Sequence, residues 1–189
     1  MLTDIALISQ VVTLGSERAF SLLVERHQEA VRRFLLRLTS GDAMRADDLA
    51  QETFIRAWQG LRSLRRLSGF QTWLFSIAYN IFIDDERRAH ASATTRESDS
   101  DATTNEVRAY GPDADTVLIN HDIDLALQRL SEAERTCVVL QCIEGQSIRD
   151  ISRITGMNEN TVKSHLLRGK KTLADFLLHN GYDRAATTM

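Results

Sequence analysis

The residues best suited to chemistry in this chain are basic, and they are bunched. All three of its lysines, Lys163, Lys170 and Lys171, fall with Arg168 in one helix-forming run near the C-terminus, and residues 158–171 net +3 against Glu159. Asn160, Thr161, Lys163, Ser164 and His165 stand near the start of that run, with Arg168 and Lys171 further along it. Side chains of these types at a helix N-terminus can donate to phosphates and to base edges in a groove. The preceding Ser152, Gly156 and Val162, framed by Ile151 and Leu166, have helix-turn-helix spacing: a small residue, a glycine at the turn, and aliphatics locking the second helix. An ordinary helical hairpin has the same spacing, and a charge run is usually a solvated face. The concentration of every lysine on one helix favours a duplex reader.

A second basic cluster lies earlier: Arg62, Arg65 and Arg66, then Arg87 and Arg88, interleaved with Phe70, Trp73 and Tyr79. Guanidinium groups and aromatic faces together suit single-stranded or melted nucleic acid. A Trp/Leu/Ile stripe is more often core, and Asn80 and Asp84, polar within an apolar stretch, fit an exposed face equally well.

Catalytic chemistry finds no comparable constellation. The five histidines, His27, His90, His121, His165 and His179, are scattered, and neither a phosphate-binding glycine loop nor an HExxH motif occurs. Cys137 and Cys142 are five apart, which is neither CxxC nor a disulfide framework, and with His121 they make a poor zinc set. Buried, reduced helix thiols are the expectation. No enzyme, metal site or cofactor is expected.

The elements that would carry these groups read as helices throughout. The chain of 189 residues is 43% hydrophobic and 26% charged, ordinary for a globular protein, and it holds a single proline, Pro112, which permits long helices. Its net charge of -3 misleads as a guide to partners: residues 91–116 contain six acids and two bases, and the remainder of the chain is +1. That segment, ASATTRESDSDATTNEVRAYGPDADT, is rich in Ser, Thr and Asp and reads as a flexible linker. It divides residues 1–90 from 117–189. The first half predicts helices over 3–13, Ser16 to about Thr39, from about Asp47 to Gly60, and from Phe70 to about Ala89, with Leu49, Ala50, Phe54, Ala57 and Trp58 inward on the third. Trp73, Leu74, Ile77, Ala78 and Ile81 face inward on the fourth. In the second half Ser131 and Glu134 form a capping box, Ser147 and Asp150 repeat the spacing, and a last helix runs from about Asn158 to His179. The expected fold is all-α: two small helical domains joined by an acidic linker, the second holding a helix-turn-helix. No apolar run is long enough to span a bilayer, and Asp4 sits where a signal peptide would be basic. A cytoplasmic protein that is not membrane-inserted is the expectation.

Three stretches resemble a known family. Asp47-Asp48-Leu49-Ala50-Gln51-Glu52-Thr53-Phe54-Ile55-Arg56-Ala57-Trp58 is similar to the polymerase-contacting helix of bacterial sigma factors. Phe70-Gln71-Thr72-Trp73-Leu74-Phe75-Ser76-Ile77-Ala78-Tyr79-Asn80, continuing to Asp84 and Arg87-Arg88, resembles their promoter-melting helix. Leu130 to Arg135, followed by Thr161 to Leu166, is similar to their C-terminal promoter-binding domain, and the short two-domain layout resembles the extracytoplasmic function group. The resemblance implies that Asp48, Gln51, Glu52 and Phe54 dock on the clamp helices of the largest subunit of core RNA polymerase. The second domain would lie near the flap region of the second-largest subunit. It implies that Arg62, Arg65, Arg66, Phe70, Trp73, Asn80, Asp84, Arg87 and Arg88 capture an opened −10 element. Asn160, Thr161, Lys163, Ser164, His165, Arg168 and Lys171 would read the −35 element as duplex. An anti-sigma partner, holding the protein at the inner membrane face, is implied by family alone. The sequence departs from the family at Asn158-Glu159-Asn160, where many relatives carry Pro and Gly, at Ser152 for Ala, and at His165 for Arg. The alternative is a stand-alone helix-turn-helix regulator with a helical sensor domain, which would bind duplex promoter DNA without polymerase.

Overall fold

The computed structural model describes residues 3–61, 69–93 and 122–182, and the described residues form eight helices. They are α1 (Asp4–Leu14), α2 (Glu17–Leu38), α3 (Ala43–Gly60), α4 (Phe70–Ala93), α5 (122–128), α6 (Glu132–Val138), α7 (Ile148–Thr155) and α8 (Glu159–His179). A π-helical turn, Val139–Ile143, continues α6. Residues 94–121, with most of the expected linker and His121, lie outside the described residues.

Local chemistry sets the boundaries. The Thr3 and Ser16 hydroxyls accept from the Ala6 and Ala19 amides and start α1 and α2. Between α2 and α3 the chain turns through left-handed Ser40 (φ 57°) and Gly41 (φ 94°), a conformation open to glycine and costly for serine. Asp42 then caps α3 by accepting from the Arg45 amide at 3.0 Å. The third helix therefore starts four residues before Asp47. The fourth extends to Ala93, four residues past the expected end and into the stretch read as linker.

In the first domain α2 supplies the central stripe, with Leu23, Val31, Phe34, Leu35 and Leu38 buried. Phe34 meets Phe75 of α4 edge-on at 5.1 Å between centroids. Arg45 ties the start of α3 to the end of α4, reaching Asp85 and Glu86 at 2.6 Å each. Asp4 anchors α1 through Arg26 at 2.9 Å and His27 at 2.8 Å. Its carboxyl is held below the usual range, because these two bonds outweigh the effect of burial. Of the expected inward residues, Leu49, Ala57, Leu74, Ala78 and Ile81 are buried, but Trp58 is exposed and leans on the Phe20 ring at 4.9 Å. Phe70, Phe75, Tyr79 and Phe82 are buried too, so α4 is apolar on more than one face.

The second domain packs α8 across α6 and α7. Its capping box is formed: the Ser131 hydroxyl accepts from the Glu134 amide and the Glu134 carboxylate accepts from the Ser131 amide. Tyr182 donates to Asp122 at 2.6 Å and returns the end of the domain to α5. Cys137 is buried while Cys142 is exposed, so the expectation of two buried thiols holds for the first alone. Burial pushes the Cys137 thiol up to about 11.

Gly169 marks where α8 comes closest to α6. A Cβ placed there would lie 2.8 Å from Cγ2 of Val138 and 3.5 Å from Cβ of Glu134. Gly169→Val is expected to destabilise the protein by about 2–3 kcal/mol through overpacking. Gly169→Ala should lose less, since its gain of about 1 kcal/mol in helix propensity offsets part of the clash. Thermal melting of both variants checks this, and an unchanged midpoint for Gly169→Val would show that the two helices have room to part.

The two domains touch. Arg33 on α2 grips Glu144, just past the π turn, with Nε to Oε1 at 2.9 Å and Nη2 to Oε2 at 3.0 Å. Thr72 on α4 donates to Gln146 at 2.9 Å, and Arg135 donates to the Ser40 hydroxyl at 2.6 Å and the Leu38 carbonyl at 3.3 Å. Arg37 faces Asp124 at 3.7 Å.

Candidate nucleic-acid interface

Helix α8 divides cleanly into a held side and an offered side. Val162, Leu166 and Gly169 are buried against the domain. Asn160, Lys163, Ser164, Arg168, Lys170 and Lys171 are exposed, with Thr161 and His165 half-buried. The turn that aims the helix is fixed by side chains. Gly156 ends α7 in the left-handed region (φ 73°), the Ser152 hydroxyl donates to the Met157 carbonyl at 2.6 Å, and the Asn158 side chain accepts from the Thr161 amide at 2.9 Å. Ser152 thus does more than occupy little space: its hydroxyl closes the turn.

Arg168 has a second employment that its position alone does not reveal. Its Nε donates to Glu134 Oε1 at 3.0 Å and its Nη2 lies 3.1 Å from His165 Nδ1. Glu134 is the capping-box carboxylate, so this guanidinium cross-links α8 to the start of α6. The Glu134 carboxyl is held below its ordinary value: burial raises it, and the bonds from Ser131 and Arg168 more than reverse that. Lys163, by contrast, stands exposed at the N-terminal part of the helix with no ion pair among the described residues.

On α4 the expected −10 residues separate by burial. Asn80, Arg87 and Arg88 are exposed, Asp84 is half-buried, and Arg87 approaches Asp84 at 3.8 Å. Trp73 is half-buried, its ring 3.5 Å from where a Cβ on Gly60 would lie. Phe70 departs from the expectation: it is 2% exposed, wedged between the His27 ring at 5.2 Å and the Trp73 ring at 5.8 Å, so it props Trp73 and has no face open to a base. Tyr79 is likewise buried, and burial is the main cause that raises its phenol above the ordinary value. Arg62, Arg65 and Arg66 lie outside the described residues.

Between α2 and α3 runs a groove of about 600 Å³ lined by Val24, Gln28, Glu29, Arg32, Asp47, Ala50, Gln51, Phe54 and Ile55. Of the four expected docking residues, Gln51 and Phe54 line it, and Asp48 and Glu52 belong to the same helix. Ile55 is 53% exposed and was missed by sequence reasoning, although its place one turn after Gln51 was the available signal. Arg32 binds Asp47 at 2.6 Å and Arg56 binds Glu52 at 2.7 Å, which tempers the acidity of the face and leaves Glu29 and Asp48 exposed.

Comparison with known proteins decides what carries these surfaces. Residues 23–92 match the family model for Sigma-70 region 2, and residues 120–173 match that for Sigma-70 region 4. The RNA polymerase sigma-H factor of Pseudomonas aeruginosa is 31% identical over 86% of this chain and 88% of its own. The ECF RNA polymerase sigma-E factor of Haemophilus influenzae is 30% identical over 91% and 94%. This chain belongs to the extracytoplasmic function sigma factors. Among solved structures, the sigma factor RpoE in complex with the anti-sigma factor NepR from Bartonella quintana superposes with a TM-score of 0.71 at 29% identity, over 84% of this chain and 96% of that one. CnrH, in complex with the cytosolic domain of CnrY, shares the fold at a TM-score of 0.66. As a sigma factor the chain is a transcription initiation subunit: it binds core RNA polymerase and directs it to specific promoters. Such factors are non-enzymatic. The stand-alone regulator is not favoured, because the first domain matches a sigma region in its own right. No described helix is long and apolar enough to cross a membrane.

Proposed function

We propose that three surfaces divide the work of initiation. The outward face of α8, with Asn160, Thr161, Lys163, Ser164, His165, Arg168 and Lys171, enters the major groove of the −35 element. The exposed side of α4, with Trp73, Asn80, Asp84, Arg87 and Arg88, and the arginines at 62, 65 and 66, holds the opened −10 strand, with Phe70 acting through Trp73. The groove between α2 and α3 takes the clamp helices of the largest polymerase subunit, and the second domain sits beside the flap region of the second-largest. The chain catalyses no reaction of its own.

The observation that carries this reading is the sidedness of α8: aliphatics and Gly169 fix one face, and the other presents lysines to solvent. A basic helix held rigidly behind a tight turn meets the geometric and electrostatic needs of groove reading together. The complex of the Bartonella quintana relative with an anti-sigma factor supports an anti-sigma protein as the regulatory partner here. We place the protein in the cytoplasm, held at the inner membrane face when that partner is membrane-bound.

The test is reconstitution with core polymerase on genomic fragments, followed by sequencing of transcript 5′ ends. Specific starts sharing two upstream elements are expected, and a complex that forms yet starts nowhere specifically would defeat the reading. On a promoter found in this way, Lys163→Ala should weaken −35 binding by about 1–3 kcal/mol if it reads a base. If it meets only phosphate, the salt slope should fall by about 0.9, a roughly 3.5-fold difference between 50 and 200 mM salt. Asn80→Ala should impair strand opening, read by permanganate reactivity of unpaired thymines, while core binding stays unchanged. Equal loss of both would make Asn80 structural.

A further inference from the structure

Leucine 167 is out of place on the face just described. It is 75% exposed, while its neighbour Leu166 is 5% exposed and packed into the domain. A lone exposed leucine is unremarkable on most surfaces. This one sits at the centre of the basic face of α8, one turn after Lys163 and one turn before Lys171, with Ser164 three residues back. The other large exposed apolar residue of α8, Leu178, lies eleven residues on, about 16 Å along the axis. On α8, therefore, the described residues form no contiguous exposed apolar patch for a protein partner to cover, and the cations around Leu167 disfavour a basic or apolar protein surface.

What fits a single apolar point ringed by cations is an anionic surface with a single apolar point in its midst. The duplex major groove has that pattern: phosphates along both walls, and on its floor the thymine C5-methyl as the apolar group presented by base edges. We propose that Leu167 is a specificity-determining residue that packs on a thymine methyl in the −35 duplex, one helical turn deeper along α8 than the contact of Lys163. The proposal rests on the groove placement of α8 given above. It adds a base preference that hydrogen-bonding residues of the helix do not supply, since the methyl neither donates nor accepts.

The experiment uses holoenzyme, the full chain with core polymerase, and synthetic duplexes carrying the −35 element of a promoter mapped as above. Each thymine is replaced in turn by deoxyuridine, which deletes the methyl and keeps the pairing. One position is expected at which this weakens wild-type binding about three- to tenfold. Leu167→Ala should lose a similar factor on the all-thymine duplex and be less than twofold sensitive to deoxyuridine at that position. Its side chain lies outside the core, so the melting temperature should be unchanged. If wild type tolerates deoxyuridine at every position, or if Leu167→Ala remains as sensitive as wild type, the assignment is overturned. Lys163→Ala serves as the control: if it too binds normally, the groove placement has failed, and the loss is not of Leu167 alone.

Discussion

Replacing Ile55 by arginine is expected to weaken binding to core polymerase by about a hundredfold, close to 3 kcal/mol, with no effect on the fold or on −35 duplex binding. Ile55 lines the groove between α2 and α3 and is 53% exposed, so the longer side chain can leave toward solvent without disturbing the core. Two effects then add at the interface. The apolar contact is lost, and a cation is brought against a partner surface that an acidic face, with Glu29 and Asp48, is suited to meet only if it is basic. Ile55→Ala removes the contact without the charge and should cost less. The check is competition for core polymerase against a labelled sigma factor, beside a thermal melt. Full affinity in Ile55→Arg would show that the groove faces solvent in the holoenzyme. Phe54 is a poorer probe because it also packs against the core, so its loss would mix docking with stability.

Sequence legibility followed the range of the forces involved. Helix ends governed by local capping were readable: Ser16, Ser131, Ser147, Asn158 and Gly156 act as their types and spacing require. The start of α3 was not, because Asp42 caps a first turn of Ala43 and Met44 that carries no inward stripe. The burial of Phe75 and Phe82 was missed for another reason. Helix α4 is covered by α2 and α3 and also met by α7, and a helix buried on more than one side loses the periodicity that identifies its inward face. The π turn at Val139–Ile143 is equally silent, since a short run that is apolar except for Gln141 reads alike with either hydrogen-bond register. At the site, the identity of the basic face was legible and its internal pairing was not. Arg168 finds Glu134 across 34 residues, and only the packing of α8 on α6 through Gly169 brings them together.

The contact between the domains yields the other large effect. Arg33→Ala is expected to destabilise that contact by about 2–3 kcal/mol, because it strands a carboxylate; the loss of about 3–5 kcal/mol typical of a fully buried pair is not reached, since the Arg33 side chain is 43% exposed. The Glu144 side chain is 1% exposed and both its oxygens are taken by Arg33, whose guanidinium in turn is held above its ordinary range chiefly by that bond. Removing the cation leaves a buried anion whose hydrogen bonds are lost and whose desolvation is offset only by the more distant charge of Arg37. The penalty is capped by the strength of the contact, for once the domains part, water reaches Glu144 again. The variant should therefore open. Hydrogen exchange at the Glu144 and Gln146 amides, bonded here to the Val139 and Leu140 carbonyls, should accelerate, and the radius of gyration should rise. The order of variants separates charge from packing. Glu144→Gln keeps an acceptor for Arg33 and should open less than Arg33→Ala. The pair Arg33→Met with Glu144→Leu removes both charges and should stay nearly as closed as wild type, because a buried ion pair exchanged for apolar groups costs little. If Arg33→Ala instead leaves exchange and size unchanged, the domains are held by the apolar packing of α7 on α4, and the ion pair is a passenger.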